Sequence, residues 1–289
     1  MLMYSALVAG SFSLGSIAAN EIEPTAISAV RFSLAAILMG IVAFFGPGIK
    51  RSQFVAPWRY LILGVLLSFY FVFMFMGLKS ASPVSAAAVF TLIPLFAAVF
   101  GFILMRQIMS LRMSTALMLA AIGAMWVILR GDLSELVKFN LGQGELIYMY
   151  GCIIHGIYTP MVPKLNRGES AITFTFGTLF AGSILLVVFS YSDICATDWA
   201  NLPAIVWVTL GYLVVFATAI SFVLIQFAAM RLPSAKVMAY TYLTPVWVIL
   251  WEVLFGNGLP QAIVLPGILL TICALFLLVK NENTSGCKG

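Results

Sequence analysis

The feature that most constrains this chain is a succession of ten long apolar segments separated by short connections. Each approaches or exceeds the ~20 residues that an α-helix needs to cross the hydrocarbon of a bilayer. Of the 289 residues, 63% are hydrophobic and only 9% are charged, whereas soluble globular domains are far more polar. The runs are too continuous for the alternating strands of a membrane β-barrel. The segments are 1–20, 25–46, 57–78, 83–105, 111–130, 143–163, 170–190, 202–229, 232–255 and 260–280. The sequence therefore predicts an all-α integral membrane protein with ten transmembrane helices.

Basic residues are distributed unevenly over the connections between these segments. Eleven Lys and Arg residues fall on one side of the membrane and three on the other. The positive-inside rule places the richer side, and with it both termini, in the cytoplasm. We therefore expect a multi-pass protein of the cytoplasmic membrane, with residues 281–289 as a cytoplasmic tail.

The charge pattern and the reactive residues argue against several classes of function. The chain has a net charge of +5, but its basic residues are dispersed singly and in pairs. This is unlike the basic cluster of a nucleic-acid-binding protein. One histidine and four cysteines without a C-x-x-C spacing predict no metal site. The sequence lacks a G-x-x-x-x-G-K-[ST] motif, so we expect no direct drive by ATP. No catalytic arrangement stands out, and we predict a protein that is not an enzyme and needs no cofactor.

An internal repeat relates the two halves of the chain. Adding 151 to positions in the fourth and fifth segments leads to similar residues in the ninth and tenth, without a gap. The matched pairs are Ala88 with Ala239, Leu92 with Leu243, Pro94 with Pro245, and Leu119 with Leu270. A unit of five helices is odd-numbered, so its second copy must insert upside down. The sequence therefore predicts two inverted five-helix repeats, at 1–130 and 143–280, which is an arrangement typical of transporters.

Three short motifs resemble the drug/metabolite transporter superfamily, in its EamA-type branch of ten-helix carriers. They are Ala26-Ile27-Ser28-Ala29-Val30-Arg31-Phe32, Thr91-Leu92-Ile93-Pro94-Leu95-Phe96 and Tyr242-Leu243-Thr244-Pro245-Val246-Trp247. The resemblance covers nearly the whole chain. It implies two inverted repeats, cytoplasmic termini, and a central cavity walled largely by helices one, three, four, six, eight and nine. It does not name a substrate.

The chain departs from this family's pattern at one pair of positions. Members often carry Gly-Glu twelve and thirteen residues beyond each proline, whereas this chain has Arg106-Gln107 and Asn257-Gly258. A carboxylate appears earlier instead, as Glu252.

The ninth segment carries polar groups that a simple membrane anchor does not need. A stripe at helical spacing predicts a substrate-binding face, and it comprises Lys236, Tyr240, Thr244, Trp247 and Trp251. Core packing and a lipid-facing aromatic belt are the alternative interpretation, and snorkelling to the headgroups also explains Lys236. Because Pro245 has no N–H, we expect the carbonyl of Thr241 to be available to a ligand. Pro94 and Pro245 are the predicted helix breaks.

Glu252 lies near the predicted outer end of the same helix. A carboxylate in hydrocarbon is unfavourable by roughly 2.5–3.5 kcal/mol on insertion scales, which favours a cavity or a partner. One hypothesis is a cavity carboxylate that binds a cationic group or a coupling proton. The alternative is an interfacial carboxylate that reaches the headgroups.

Two further polar residues lie inside apolar segments. Arg31 is expected to pair with Glu252, or with Glu21 or Glu23 at the rim, while the alternative is a structural arginine that fixes helix ends. His155 is placed near the membrane midplane, with Tyr158 three residues later. His155 and Tyr158 are predicted to bind substrate, and His155 is, after Glu252, a second candidate for proton coupling. A neutral imidazole satisfied by a hydroxyl is the alternative.

These observations predict a secondary active transporter whose partners are a small-molecule substrate, the lipid bilayer and, as a hypothesis, protons. We expect export of a metabolite, amino acid or drug-like compound by alternating access. A passive channel or facilitator, and a membrane-embedded lipid-processing enzyme, are the alternatives.

Overall fold

The computed structural model describes residues 1–108, 110–129 and 142–279 of the chain. Every regular element in these ranges is helical, which confirms the predicted all-α class for them. The predicted tail at 281–289 lies outside the described residues. Arg130, Lys138, Lys280 and Lys288, which enter the charge count, lie outside them as well.

The α-helices of the described chain are numbered here in chain order. They are α1 Leu2–Ala18, α2 Pro24–Phe45, α3 Trp58–Leu78, α4 Pro83–Phe90, α5 Ile93–Met105, α6 Leu111–Ile128, α7 Gln143–Leu165, α8 Ala171–Phe189, α9 Tyr191–Ala196, α10 Ala204–Val214, α11 Ser221–Ala229, α12 Ser234–Ala239, α13 Thr244–Leu254 and α14 Leu265–Val279. A π-helical turn, Val215–Ile220, joins α10 to α11, and a 3₁₀ turn, Tyr240–Leu243, joins α12 to α13.

Within the described ranges, seven helical segments are long and apolar enough to cross a membrane. They are Pro24–Phe45, Trp58–Leu78, Pro83–Met105, Leu111–Ile128, Ala171–Phe189, Ala204–Ala229 and Ser234–Leu254. Two shorter apolar helices are Leu2–Ala18 and Ala262–Leu278. Helix α7 has 23 residues but a more polar sequence, and it packs among the others.

Serine side chains fix where several of these helices begin. The hydroxyl of Ser82 accepts from the main-chain N–H of Ser85 at 3.2 Å, and Ser110 does the same for Met113. Such caps satisfy a main-chain donor that the first helical turn leaves unpaired.

Two of the apolar segments are interrupted near a proline. Thr91 and Leu92 separate α4 from α5, and Pro94 is the second residue of α5. In the other half, the 3₁₀ turn separates α12 from α13, and Pro245 is the second residue of α13. A proline is tolerated there because the first helical turn has no internal acceptor for its missing N–H. The pieces make crossed contacts, α4 with α13 and α5 with α12.

The helix bundle is held by close approach of small residues and by buried rings. The pairs with the most extensive contact are α3 with α7, α6 with α14, and α2 with α8. Gly123 of α6 and Gly267 of α14 face each other so closely that a Cβ on either would come within 2.5 Å of the other's carbonyl oxygen. Such glycine contacts let helix backbones approach closely in a bilayer. Phe12 packs edge-on against Phe90 and Tyr148, at centroid distances of 5.4 and 6.0 Å.

Candidate functional site

A small cavity lies where α1, α3, α7 and the region from the π turn to α11 meet. Its volume is about 10 Å³, which is about the space that one water requires. It is lined by Tyr4, Val8, Ser11, Tyr70, Phe71, His155, Ala217, Ser221 and Phe222. At this meeting point the described residues thus enclose a cavity much smaller than a substrate pathway needs, although the sequence predicted a central cavity. Helices from both halves of the chain do meet at the small cavity.

His155 is the polar side chain in this cavity wall that has the least satisfied hydrogen bonding. It is 1% exposed, and neither of its ring nitrogens has a hydrogen-bond partner. Its ring lies 4.4 Å from that of Tyr70 and 5.4 Å from that of Tyr158, measured between centroids. A buried unpaired donor or acceptor is unfavourable by about 1–3 kcal/mol. Both ring nitrogens of His155 therefore remain available for a hydrogen bond.

The tyrosine hydroxyls around His155 are bonded elsewhere. The hydroxyls of Tyr70 and Tyr148 are 3.1 Å apart and share a hydrogen bond. The hydroxyl of Tyr158 accepts from Nε2 of Gln226 at 3.1 Å, while Oε1 of Gln226 has no partner. The alternative interpretation of His155, an imidazole satisfied by a hydroxyl, is therefore wrong for this structure.

Arg31 of α2 lies fully buried directly behind one wall of the cavity. Its Nε donates to Oγ1 of Thr218 at 2.6 Å and its Nη2 to the carbonyl of Ala217 at 3.1 Å. Its Cζ lies 3.8 Å from the ring centroid of Phe71, while Nη1 has no partner. Both acceptors belong to the π turn, and such turns occur frequently at functional sites.

The ion pairs predicted for Arg31 are not formed. Arg31 makes no ion pair with any carboxylate of the described residues. Glu252 instead accepts from Nδ2 of Asn257 at 2.9 Å and is partly exposed, and Glu23 pairs with Lys79 at 3.2 Å. The pairing prediction was wrong because the π turn supplies neutral acceptors closer to the guanidinium.

The predicted stripe on the ninth segment lies apart from the His155 cavity. No residue of α12 or α13 is among those that line the cavity, and α13 packs against α1. Trp251 contacts Tyr212 edge-on at 5.7 Å between centroids. Oγ1 of Thr244 and Nε1 of Trp247 are buried without a partner, which leaves two polar atoms available on this face. Tyr240 and Lys236 are half-buried.

One detail of the predicted helix break is wrong. The carbonyl of Thr241 accepts from the main-chain N–H of Thr244, so it is not free for a ligand. The hydroxyl of Thr241 donates to the carbonyl of Met238 at 2.7 Å. The 3₁₀ turn shortens the hydrogen-bonded loop and so pairs the carbonyl that Pro245 cannot reach.

Sequence reasoning missed several residues of the cavity wall. It did not single out Tyr70, Phe71, Ser11 or Ser221. Hydroxyls within apolar spans are a usable signal for the serines, since such groups tend to face a protein interior. Nothing in the sequence marks the π turn that presents Thr218 to Arg31.

Three further cavities lie elsewhere in the described part of the chain. One, of about 900 Å³, is an apolar groove between α3 and α8 whose walls include Trp58, Phe180 and Val188. Polar pockets of about 410 and 320 Å³ lie at opposite ends of α3, beside Lys79 and Arg59 respectively. The described residues contain no group of three His, Cys, Asp or Glu side chains that could hold a metal ion.

Comparison with known proteins identifies the family. The EamA-like transporter family matches residues 1–129 and 142–280. An uncharacterized transporter of Bacillus subtilis, YyaM, is 26% identical over 248 residues, covering 85% of this chain and 81% of that protein. An uncharacterized transporter of Archaeoglobus fulgidus is 22% identical over 277 residues, covering 95% and 94% of the two chains.

A solved protein crystal structure resembles this fold with a TM-score of 0.74. It covers 99% of this chain and 97% of that one at 18% identity, so the likeness concerns the fold alone. The family match over both halves and the apolar helices point to a multi-pass membrane transporter rather than to an enzyme. The chain belongs to the EamA-like transporter family.

Proposed function

We propose that this chain is a secondary active transporter that exports a small metabolite, amino acid or drug-like compound across the cytoplasmic membrane by alternating access. Its substrate would bind at the His155 cavity. The observation that carries this proposal is an imidazole with two unpartnered nitrogens, enclosed by helices from both halves of the chain. Carriers built from repeats bind their substrates at such an interface near the midplane.

The proposal includes ten spans arranged as two inverted repeats, 1–130 and 143–280. The spans would be α1, α2, α3, α4–α5, α6, α7, α8, α10–α11, α12–α13 and α14. The crossed contacts of the two interrupted segments, α4 with α13 and α5 with α12, support this arrangement. A two-fold axis in the membrane plane produces such an exchange of contacts.

The orientation follows from the charge count. Eleven basic residues against three favour a cytoplasmic location for both termini and for the end of α3 that carries Arg59. Under this topology, the end that carries Lys79 faces outward.

The remaining predicted substrate ligands are proposed to act when the cavity opens. The hydroxyl of Thr244 and the indole N–H of Trp247 are buried polar groups of α13 that have no partner and could contact a substrate. Tyr158, Tyr240, Thr241, Trp251 and Glu252 stay in the proposal as further contacts of that open state.

Counterflow in proteoliposomes tests the proposed function. Purified protein would be screened by thermal shift against a metabolite library, and each hit would then be tested for saturable counterflow. Replacing His155 by Gln should reduce counterflow at least about tenfold, which corresponds to 1.4 kcal/mol, since it alters the group with no other partner. Tyr242→Phe is the control, because this buried tyrosine does not line the cavity. Non-saturable flux would instead favour a channel, and equal activity of both variants would contradict the site.

Proton coupling is a separate part of the proposal, assigned to Glu252 or His155. Collapsing the pH gradient should abolish concentrative transport but leave counterflow at equal pH intact. Glu252→Gln should have the same effect if the carboxylate carries the proton. Concentrative transport that persists after both changes would contradict the proposed proton coupling.

A further inference from the structure

Arg31 places a fixed positive charge inside the membrane part of the protein without a compensating carboxylate. The side chain is 0% exposed and makes no ion pair within the described chain. A guanidinium stays protonated in proteins, so the charge cannot be removed by losing a proton. Its bonds to Thr218 and Ala217 are to neutral oxygens, and they leave the charge itself uncompensated.

The guanidinium of Arg31 contacts two residues that line the His155 cavity. Phe71, which stacks on the guanidinium at 3.8 Å, is itself part of the cavity wall. Ala217, whose carbonyl accepts from Nη2, also lines the cavity. Nη1 is the remaining donor, buried and unpartnered. Phe71 therefore contacts both the guanidinium and the cavity.

The rest of the cavity wall is mainly aromatic. Tyr70, Phe71 and Phe222 line the cavity together with His155, and Phe71 meets Phe222 edge-on at 5.8 Å between centroids. Such surroundings favour a flat ring, because aromatic pairs prefer offset or edge-to-face contacts. No carboxylate lines the cavity, so nothing there compensates an ammonium group.

We propose that the His155 cavity binds a small aromatic monocarboxylate, whose carboxylate is neutralised by Nη1 of Arg31 once Phe71 has turned aside. The arginine is then a specificity-determining residue, and the substrate enters as an anion. This inference rests on the proposed function and names the substrate class of the same site. Charge-assisted hydrogen bonds to a carboxylate are about twice as strong as neutral ones, which gives the site its selectivity.

Four compounds of similar shape and different charge test the assignment. They are phenylacetate, phenylacetamide, phenethylamine and phenylalanine, each titrated by thermal shift against the purified wild-type protein. We expect phenylacetate to bind at least about tenfold more tightly than any of the other three. A tighter fit of the amine, the amide or the zwitterion, or no binding by phenylacetate, would overturn the inference without any variant.

Variants then assign the preference to Arg31. Arg31→Gln should remove the preference for phenylacetate over phenylacetamide. Arg31→Lys should retain part of it, because lysine keeps the positive charge but lacks the planar set of N–H donors of a guanidinium. Arg231→Gln is the matched control, since Arg231 is exposed and bonds only within its own helix region. An unchanged preference in Arg31→Gln would overturn the role of Arg31.

The outcomes separate this inference from the proposed function. His155-dependent counterflow of a neutral or cationic solute would support the transporter and overturn the anion assignment. Tight binding of phenylacetate that depends on Arg31, without any counterflow, would support the anion assignment and contradict transport.

Discussion

Helices α3 and α7 pack side by side in antiparallel directions, but different interactions hold the two ends of this pair together. At one end, Arg59 of α3 is 2% exposed and donates to the carbonyl of Leu165 at 2.8 Å and to Glu169 at 2.6 Å. At the other end, Gly77 and Gly144 approach so closely that a Cβ on either would come within 2.8 Å of the other's carbonyl oxygen. The ion pair beside the glycines, Lys79 with Glu23, is largely exposed.

The two ends of the helix pair differ in their sensitivity to pH. Burial would raise the pKa of Glu169, but hydrogen bonds from Arg59 and from the main-chain N–H of Arg167, together with the charge of Arg59, hold that pKa below its usual value. The stability of the helix pair at the Arg59 end thus depends on the protonation state of Glu169. The glycine contact carries no charge, and only a separation of the two backbones can open it.

The largest effect is expected from Glu169→Gln. Removing this carboxylate leaves the buried Arg59 without its counter-charge, and we expect the free energy of unfolding to fall by about 3 kcal/mol. Chemical unfolding in detergent measures it. Glu23→Gln is the matched control at the other end, where an exposed pair contributes about 0–1 kcal/mol. Similar losses in the free energy of unfolding for Glu169→Gln and Glu23→Gln would contradict the difference between the two ends.

The second prediction concerns the glycine contact. Gly144→Ala would place a Cβ 2.5 Å from the carbonyl oxygen of Gly77, and overpacking should lower the free energy of unfolding by about 1–3 kcal/mol. Gly211→Ala is the control, because a Cβ there meets nothing within 4 Å and alanine favours the helix by roughly 0.5–1 kcal/mol. A loss at Gly211 equal to that at Gly144 would show that helix packing at the contact is not the cause.

The third prediction concerns pH. The pKa of Glu169 is lower in the folded than in the unfolded protein, so its contribution is complete above the unfolded pKa of about 4.3. The contribution is lost as the pH falls through the folded value. The stability difference between wild type and Glu169→Gln should therefore shrink on acidification from pH 7 to below pH 4, as followed by unfolding at each pH. A difference that stays constant over this range would contradict the assignment, and Gly144→Ala should show no such trend.

The smallest effect is expected from salt at the exposed pair. Lys79→Gln should change the free energy of unfolding by at most about 0.5 kcal/mol at low salt, and by less at 1 M, where the Debye length is only about 3 Å. The buried pair of Arg59 and Glu169 should be much less sensitive to salt. The expectation would be contradicted if salt strongly changed the stability effect of Glu169→Gln and left that of Lys79→Gln unchanged.

Sequence reasoning pointed to some residues of the candidate site and missed others. His155 was found because it is the one histidine of a strongly apolar chain, and a polar group in such a segment is conspicuous. Tyr70 and Phe71 were not singled out, because an aromatic residue in an apolar helix looks the same in the sequence whether it lines a cavity or fills a core. The Arg31 pairing was wrong because depth in the membrane does not say which helix faces which.

The helical, membrane-embedded character of the chain can be inferred from sequence, because it follows from the length and continuity of apolar runs, which are local. Pro94 and Pro245 near the interruptions can be inferred as well, since a missing N–H acts within one turn. The contact of Arg31 with the π turn at Thr218 and the lack of a partner for His155 emerge only from the packing of the helices. Those facts depend on how faces of helices distant in sequence come together, and a small change in helix rotation would alter every one of these contacts.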